Sequence, residues 1–182
     1  MIERLAIPDV WIYTPRVFGD ERGWFSETFN AKTLADALNG VAFVQDNQAF
    51  SGAAGTLRAL HFQKPPKAQD KLVRVLKGSI LDVAVDIRRA SATYGRWVSY
   101  VLSAHNRAQI FVPKGFAHGY VTLEPNTEVF YKVTDYYSVE HEGGLAWDDA
   151  EIGIDWGVAS SELTVADRDQ KHPRLADLPA IF

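Results

Sequence analysis

The sequence predicts a mainly β domain, a sandwich or barrel with a short surface helix and a loop-rich C-terminal tail. Three observations predict it. Short runs rich in Val, Ile, Phe and Tyr follow one another at 40–50, 56–62, 70–78, 79–88, 96–103, 108–113, 117–124 and 128–137. Turn residues separate them, among them Gly78, Gly95, the Pro-Lys-Gly at 113–115 and the Pro-Asn at 125–126, as expected where hairpins and short loops join strands. Period two is explicit in "LDVAVDIR", where Leu81, Val83, Val85 and Ile87 share one face and Asp82, Ala84, Asp86 and Arg88 the other. Short strands at such regular spacing suit a barrel or sandwich whose interior is lined by alternate residues.

The one helix expected is "AKTLADALN" at 31–39, with Asn30 as N-cap and Leu34 and Leu38 four residues apart on one face. From about residue 145 the chain is loop-rich with apolar islands, a tail expected to pack over the barrel. The chain shows no repeat, low-complexity tract or Gly/Ser linker, so residues 1–182 read as a single domain, a length that buries a sizeable core without a partner. A hydrophobic fraction of 47% and a formal net charge of −4 fit a globular protein without the basic surface that nucleic acid or anionic membrane would require. The absence of cysteine excludes disulfides, thiol catalysis and thiolate metal sites. Neither a secretory h-region nor a spanning apolar run is seen, so a cytoplasmic location is expected.

Metal-binding jelly rolls of the cupin type hold an ion with a G-x5-H-x-H strand and a later P-x-G-x2-H segment. The second half is here as Pro113, Gly115 and His118, but six and eight residues beyond Gly78 stand Ala84 and Asp86. One imidazole and one carboxylate make a poor ligand set. The reading is therefore a cupin-type jelly-roll barrel that does its work without an ion. A histidine in a strand is by itself more often structural than catalytic. Around His61, however, Arg58, Gln69 and Lys71 gather at the ends of neighbouring predicted strands, and cations cluster in this way where an anion is to be held.

The stretches "GDERGWFSETF" (19–29), "QDNQAFSGAAGTLRALHFQKPPKAQDKLVRVLKGSILDVAVDIRRASATYGRW" (45–97), "PKGFAHGYVTL" (113–123), "YKVTDYY" (131–137) and "GGLAWDDAEIGIDW" (143–156) together resemble the dTDP-4-dehydrorhamnose 3,5-epimerases. The resemblance runs over nearly the whole chain. It implies a cofactor-independent isomerase acting on dTDP-4-dehydro-6-deoxyglucose, whose C4 ketone acidifies the hydrogens on C3 and C5. Such chemistry needs a base on one face of the sugar, an acid on the other, and positive charge where the enolate oxygen forms.

The resemblance implies His61 as the base; an unperturbed imidazole titrates near about 6.5 and is substantially neutral at cytoplasmic pH. It implies Asp167 of "TVAD" as the carboxylate orienting that ring, Lys71 as the cation at the forming oxyanion, and Tyr131 as the acid on the opposite face. Arg22 and Arg58 match positions that hold the pyrophosphate, where guanidinium forks suit phosphate oxygens. Glu27, Gln45, Asn47, His118 and Glu142 match further polar positions around nucleotide and sugar, and Phe18, Phe25 and Tyr137 are candidates to stack on thymine. It further implies a homodimer that exchanges its N-terminal segment, bringing Arg22 and Glu27 to a neighbour's site. Two departures stand out: Ala59 where the family usually has glycine, and Ala166 where a lysine commonly precedes the aspartate. The alternatives are a mono-epimerase of a modified deoxysugar pathway, a sugar-binding cupin without catalysis, and a metal-dependent cupin enzyme.

Overall fold

The computed structural model describes residues 1–182. Strands run in the order β1 (Ile2–Arg4), β2 (Trp11–Tyr13), β3 (Phe18–Asp20), β4 (Gly23–Phe25), β5 (Gln45–Ser51), β6 (Thr56–Gln63) and β7 (Lys71–Lys77). They continue with β8 (Ser79–Asp86), β9 (Trp97–Ser103), β10 (Gln109–Val112), β11 (Phe116–Thr122), β12 (Thr127–Val133), β13 (Glu142–Gly144) and β14 (Thr164–Val165). One sheet has the order β1-β2-β10-β7-β12-β5; the other has β13-β6-β11-β8-β9, with β14 running parallel beside β6. The two face each other as a jelly-roll sandwich, and β3–β4 forms a separate hairpin. Each of the apolar runs read from the sequence carries a strand.

Between the sheets, Ile12, Val73, Ile110 and Val129 meet Ile80, Ala84, Val98, Leu102 and Phe116 in one buried cluster. The alternation in β8 resolves in an instructive way. Its apolar face, Val83 and Val85, packs outward under the C-terminal tail with Leu145, Ile152, Trp156, Leu175 and Leu178, while Ala84 points between the sheets. Asp82 and Asp86, on the same side as Ala84, are fully buried. Asp86 is engaged there by Arg88, Ser91 and Thr93, so the position where a metal cupin has an imidazole instead braces a loop.

The tail has little regular structure beyond β13, β14 and single 3-10 turns, yet it is anchored. β13 pairs with His61–Gln63 and β14 with Thr56–Leu57, both along the same edge of β6, and Leu60 and Leu145 exchange backbone hydrogen bonds between them. The expected helix at 31–39 shrinks to one turn, α1 (Ala35–Leu38). Asn30 does cap the segment, accepting from the N–H groups of Lys32 and Thr33, but Asn39 in the left-handed region closes it. Eight residues between such brackets are too few for a stable longer helix; Leu34 and Leu38 are nevertheless buried against Trp11, Tyr13 and Phe111.

Candidate active site

At one end of the sandwich the sheets part around a cavity of about 370 Å³, whose walls include Arg58, His61, Lys71, His118, Tyr120, Tyr131 and Asp169. Strand parity explains the contribution of the first sheet. Lys71 and Tyr131 stand two residues from Val73 and Val129, on the same inward face, so they carry that face from the core into the cavity; Tyr131 pairs across the ladder with Asn47. In β6, period two would place Arg58 and His61, three residues apart, on opposite faces. The ladder to β11 pairs His118 with His61 but Tyr120 with Arg58, so β6 carries one extra residue between them. That bulge turns both side chains into the same cavity.

His61 Nε2 lies 2.9 Å from Asp169 Oδ1. Burial alone would raise the Asp169 carboxyl, but the His61 hydrogen bond, aided by the His61 and Arg168 charges and the Ala59 N–H, holds it below the ordinary carboxylate range. An ionised Asp169 makes Nε2 the protonated nitrogen. No protein group bonds His61 Nδ1, which remains the basic nitrogen available to a ligand.

Asp167 does not reach this ring: it is exposed, whereas Asp169 is buried. The reason is local. After β14 the N–H groups of Asp169 and Gln170 both turn back to the Ala166 carbonyl, and this turn carries the second aspartate, not the first, under His61. The apparent departure at Ala166 goes with the same correction, because the residue directly before the orienting carboxylate is Arg168, a cation lining the cavity. The methyl of Ala59 is also accounted for. It is fully buried against the bare Cα of Gly119, where an added Cβ would stand 2.4 Å from it, and points away from the cavity.

A second carboxylate–imidazole pair lies deeper: His118 Nε2 stands 2.9 Å and 3.0 Å from the two oxygens of Asp82. Burial pushes the His118 imidazole down, against the opposing Asp82 charge. Beside it, burial draws the Lys71 ammonium down to about 8, with Asp82 working to keep it charged. Burial raises the Tyr131 phenol, opposed by Arg58, so it is protonated at neutral pH. Tyr120 is pushed up to about 12 in the same way.

Next to the cavity, and sharing His61, Lys71, Tyr131 and Arg168 with it, is a polar recess of about 300 Å³ that holds Gln45, Asn47, Tyr137 and Glu142. Gln45 donates to Asn47 at 2.9 Å, and Glu142 receives the Tyr137 hydroxyl at 3.0 Å and Arg168 at 3.2 Å. Arg22 and Glu27 are not brought here. Arg22 lies in the β3–β4 hairpin, paired with Asp20 and grouped with the exposed Phe18, Trp24 and Phe25; Glu27 is exposed just beyond it. The sequence reading also missed Asp82, Tyr120 and Asp169; Arg168, which with Lys171 it offered as a substitute for the lysine absent at 166, does line the cavity. For Asp82 the signal was present in the β8 alternation, which put it on one face with Ala84.

A model of the dTDP-4-dehydrorhamnose 3,5-epimerase family matches residues 4–177. A dTDP-4-dehydrorhamnose 3,5-epimerase of Sinorhizobium fredii is 48% identical over 180 residues, covering 99% of this chain and 92% of that protein. Among solved structures, the Bacillus anthracis dTDP-4-dehydrorhamnose 3,5-epimerase with TDP and PPi bound superposes with a TM-score of 0.91 at 47% identity, over 96% of this chain and 98% of that one. A dTDP-6-deoxy-D-glucose-3,5-epimerase of Legionella pneumophila in complex with dTDP-4-keto-L-rhamnose gives 0.94 at 40% identity, over 99% and 95%.

Proposed function

Because the chain belongs to the dTDP-4-dehydrorhamnose 3,5-epimerase family, we propose that it inverts C3 and C5 of dTDP-4-dehydro-6-deoxy-D-glucose, giving dTDP-4-dehydro-L-rhamnose. The observation that carries the reading is that His61 and Tyr131, from opposite sheets, wall one cavity together with Lys71. A hexose between them would present one face to the imidazole and the other to the phenol.

His61 Nδ1 takes the proton from the carbon beside the ketone, and the imidazolium is stabilised by Asp169. The electron pair left on carbon moves to the carbonyl oxygen, where the Lys71 ammonium meets the developing charge. Tyr131 returns a proton to the opposite face, and exchange with water restores the base and the acid before the second carbon is inverted. Arg58 and Arg168 supply cationic contacts for the diphosphate, and the recess of Gln45, Asn47 and Glu142, with His118 in the cavity, supplies polar ones. No step calls for a metal or a redox cofactor.

The working unit is a single-domain homodimer in the cytoplasm, in which the β3–β4 hairpin carries Arg22 and Glu27 to the partner's cavity. Support for the exchange is the hairpin itself, which leaves Phe18, Trp24 and Phe25 50%, 59% and 68% exposed on a segment without a core of its own. Incubation with the substrate in D2O tests the activity. Deuterium at both C3 and C5 is expected, deuterium at one carbon alone would select a mono-epimerase, and no exchange would leave a binding protein. Sedimentation of wild type beside a chain lacking residues 16–27 tests the dimer.

A further inference from the structure

We propose that His61, Asp169 and His172 form a zinc site through which Zn²⁺ reversibly inhibits the enzyme. Ligand atoms from these three residues all lie within 4.8 Å of one another. Asp169 Oδ1 stands between the imidazoles, 2.9 Å from His61 Nε2 and 3.7 Å from His172 Nε2. Donors about 2.0–2.1 Å from a tetrahedral ion are about 3.3–3.4 Å apart, so the two observed separations bracket the value required. The two imidazoles, within 4.8 Å of each other, must close on the ion to match it.

Other features single out this cluster. The Nε2 of His172 is buried without a hydrogen-bond partner, too far from Asp169 for a good bond and aimed at the same oxygen. Asp169 is steadied through its other oxygen by the Ala59 N–H at 3.4 Å, so an ion that replaces the His61 Nε2 proton at Oδ1 leaves the carboxylate anchored. The cation in contact with the cluster is Arg168, whose Nε lies 3.4 Å from Oδ1; its side chain is 63% exposed and already reaches Glu142, to which it can swing. Two imidazoles and one carboxylate make a donor set that suits Zn²⁺, which imidazole nitrogen favours over Mg²⁺ or Ca²⁺.

Inhibition follows from proton placement and rests on His61 being the base. Zinc accepts the Nε2 lone pair, so the single proton of the neutral ring must move to Nδ1. A ring protonated at Nδ1 has no lone pair for the substrate carbon. No electron is transferred, and removal of the ion restores the original tautomer.

Protein stripped with EDTA and titrated calorimetrically with Zn²⁺ is expected to bind one ion per chain, and Co²⁺ to give the visible absorption of a four-coordinate site. Substrate exchange in D2O should fall with the same midpoint and return with EDTA. His172→Ala should weaken zinc binding and inhibition together by tenfold or more. His172→Gln, which keeps the packing volume, should do the same if the alanine variant folds poorly, and His105→Ala on the surface should change neither. Absence of stoichiometric binding, or binding indifferent to residue 172, overturns the site. Stoichiometric binding at His172 with undiminished exchange overturns His61 as the base, a failure of the functional reading that the calorimetry separates from failure of the site.

Discussion

Two histidines of this sandwich meet carboxylates at the same 2.9 Å, but His61 keeps 23% of its side chain exposed and His118 only 8%. The partner of His118 comes from the neighbouring strand of the same sheet, β8. The partner of His61 comes from a turn in the tail, more than a hundred residues away in sequence. An imidazole with an open nitrogen can pass protons between substrate and water. One enclosed with a carboxylate can set the charge of its surroundings but cannot readily exchange them. In the proposed reaction the same pair of side chains thus serves as a base at the cavity wall and, at its floor, as a fixed counter-charge beside the buried Lys71.

The sharpest test of that division is loss of each pair in turn. His61→Ala should lower C3 and C5 exchange by about 10³–10⁴-fold, and Asp169→Asn by about 10²–10⁴-fold with substrate binding largely kept, as measured by isotope incorporation and by dTDP titration. Asp82→Asn is expected to act first on the fold. Removing the charged acceptor of a buried imidazole costs about 1.5–3 kcal/mol, to be read as a lower thermal midpoint, an effect that Asp169→Asn at the cavity wall should show less strongly.

Lys71 ties the floor to the chemistry. Lys71→Met should reduce turnover by about 10²–10³-fold, the size of a lost oxyanion donor. Its burial-lowered pKa gives the pH dependence a sign. The ammonium is the useful form, so kcat/KM should decline as pH rises through about 8, where the group loses its proton. Asp82 favours the ammonium, so in Asp82→Asn that alkaline limb should move to lower pH; a limb that stays in place would separate the floor pair from Lys71. The smallest effect is expected at Asp167. Asp167→Asn should leave exchange within about twofold of wild type, consistent with an exposed position removed from both pairs.

Much of this was open to inspection in the amino-acid order. The alternation of β8, the turn residues between strands and the Arg58, His61 and Lys71 cluster needed no coordinates, because side-chain period and backbone preference are local properties. The family resemblance placed His61, Lys71 and Tyr131 along the chain, and they do wall one cavity. It was Asp167 and Asp169 that the linear reading could not tell apart. Two carboxylates two residues apart in an irregular tail carry the same local signal, and only the hydrogen-bonded turn on Ala166 decides which faces the imidazole.

The sequence alone established a mainly β sandwich or barrel, the absence of thiol chemistry and the basic character of one strand cluster, since composition and periodicity depend on no distant contact. Tertiary structure decided which face of β8 looks inward, that a bulge joins Arg58 to His61, and which acid the tail delivers. Each of those outcomes depends on register between segments far apart in the chain, where a shift of one or two residues exchanges the buried side chain for its neighbour.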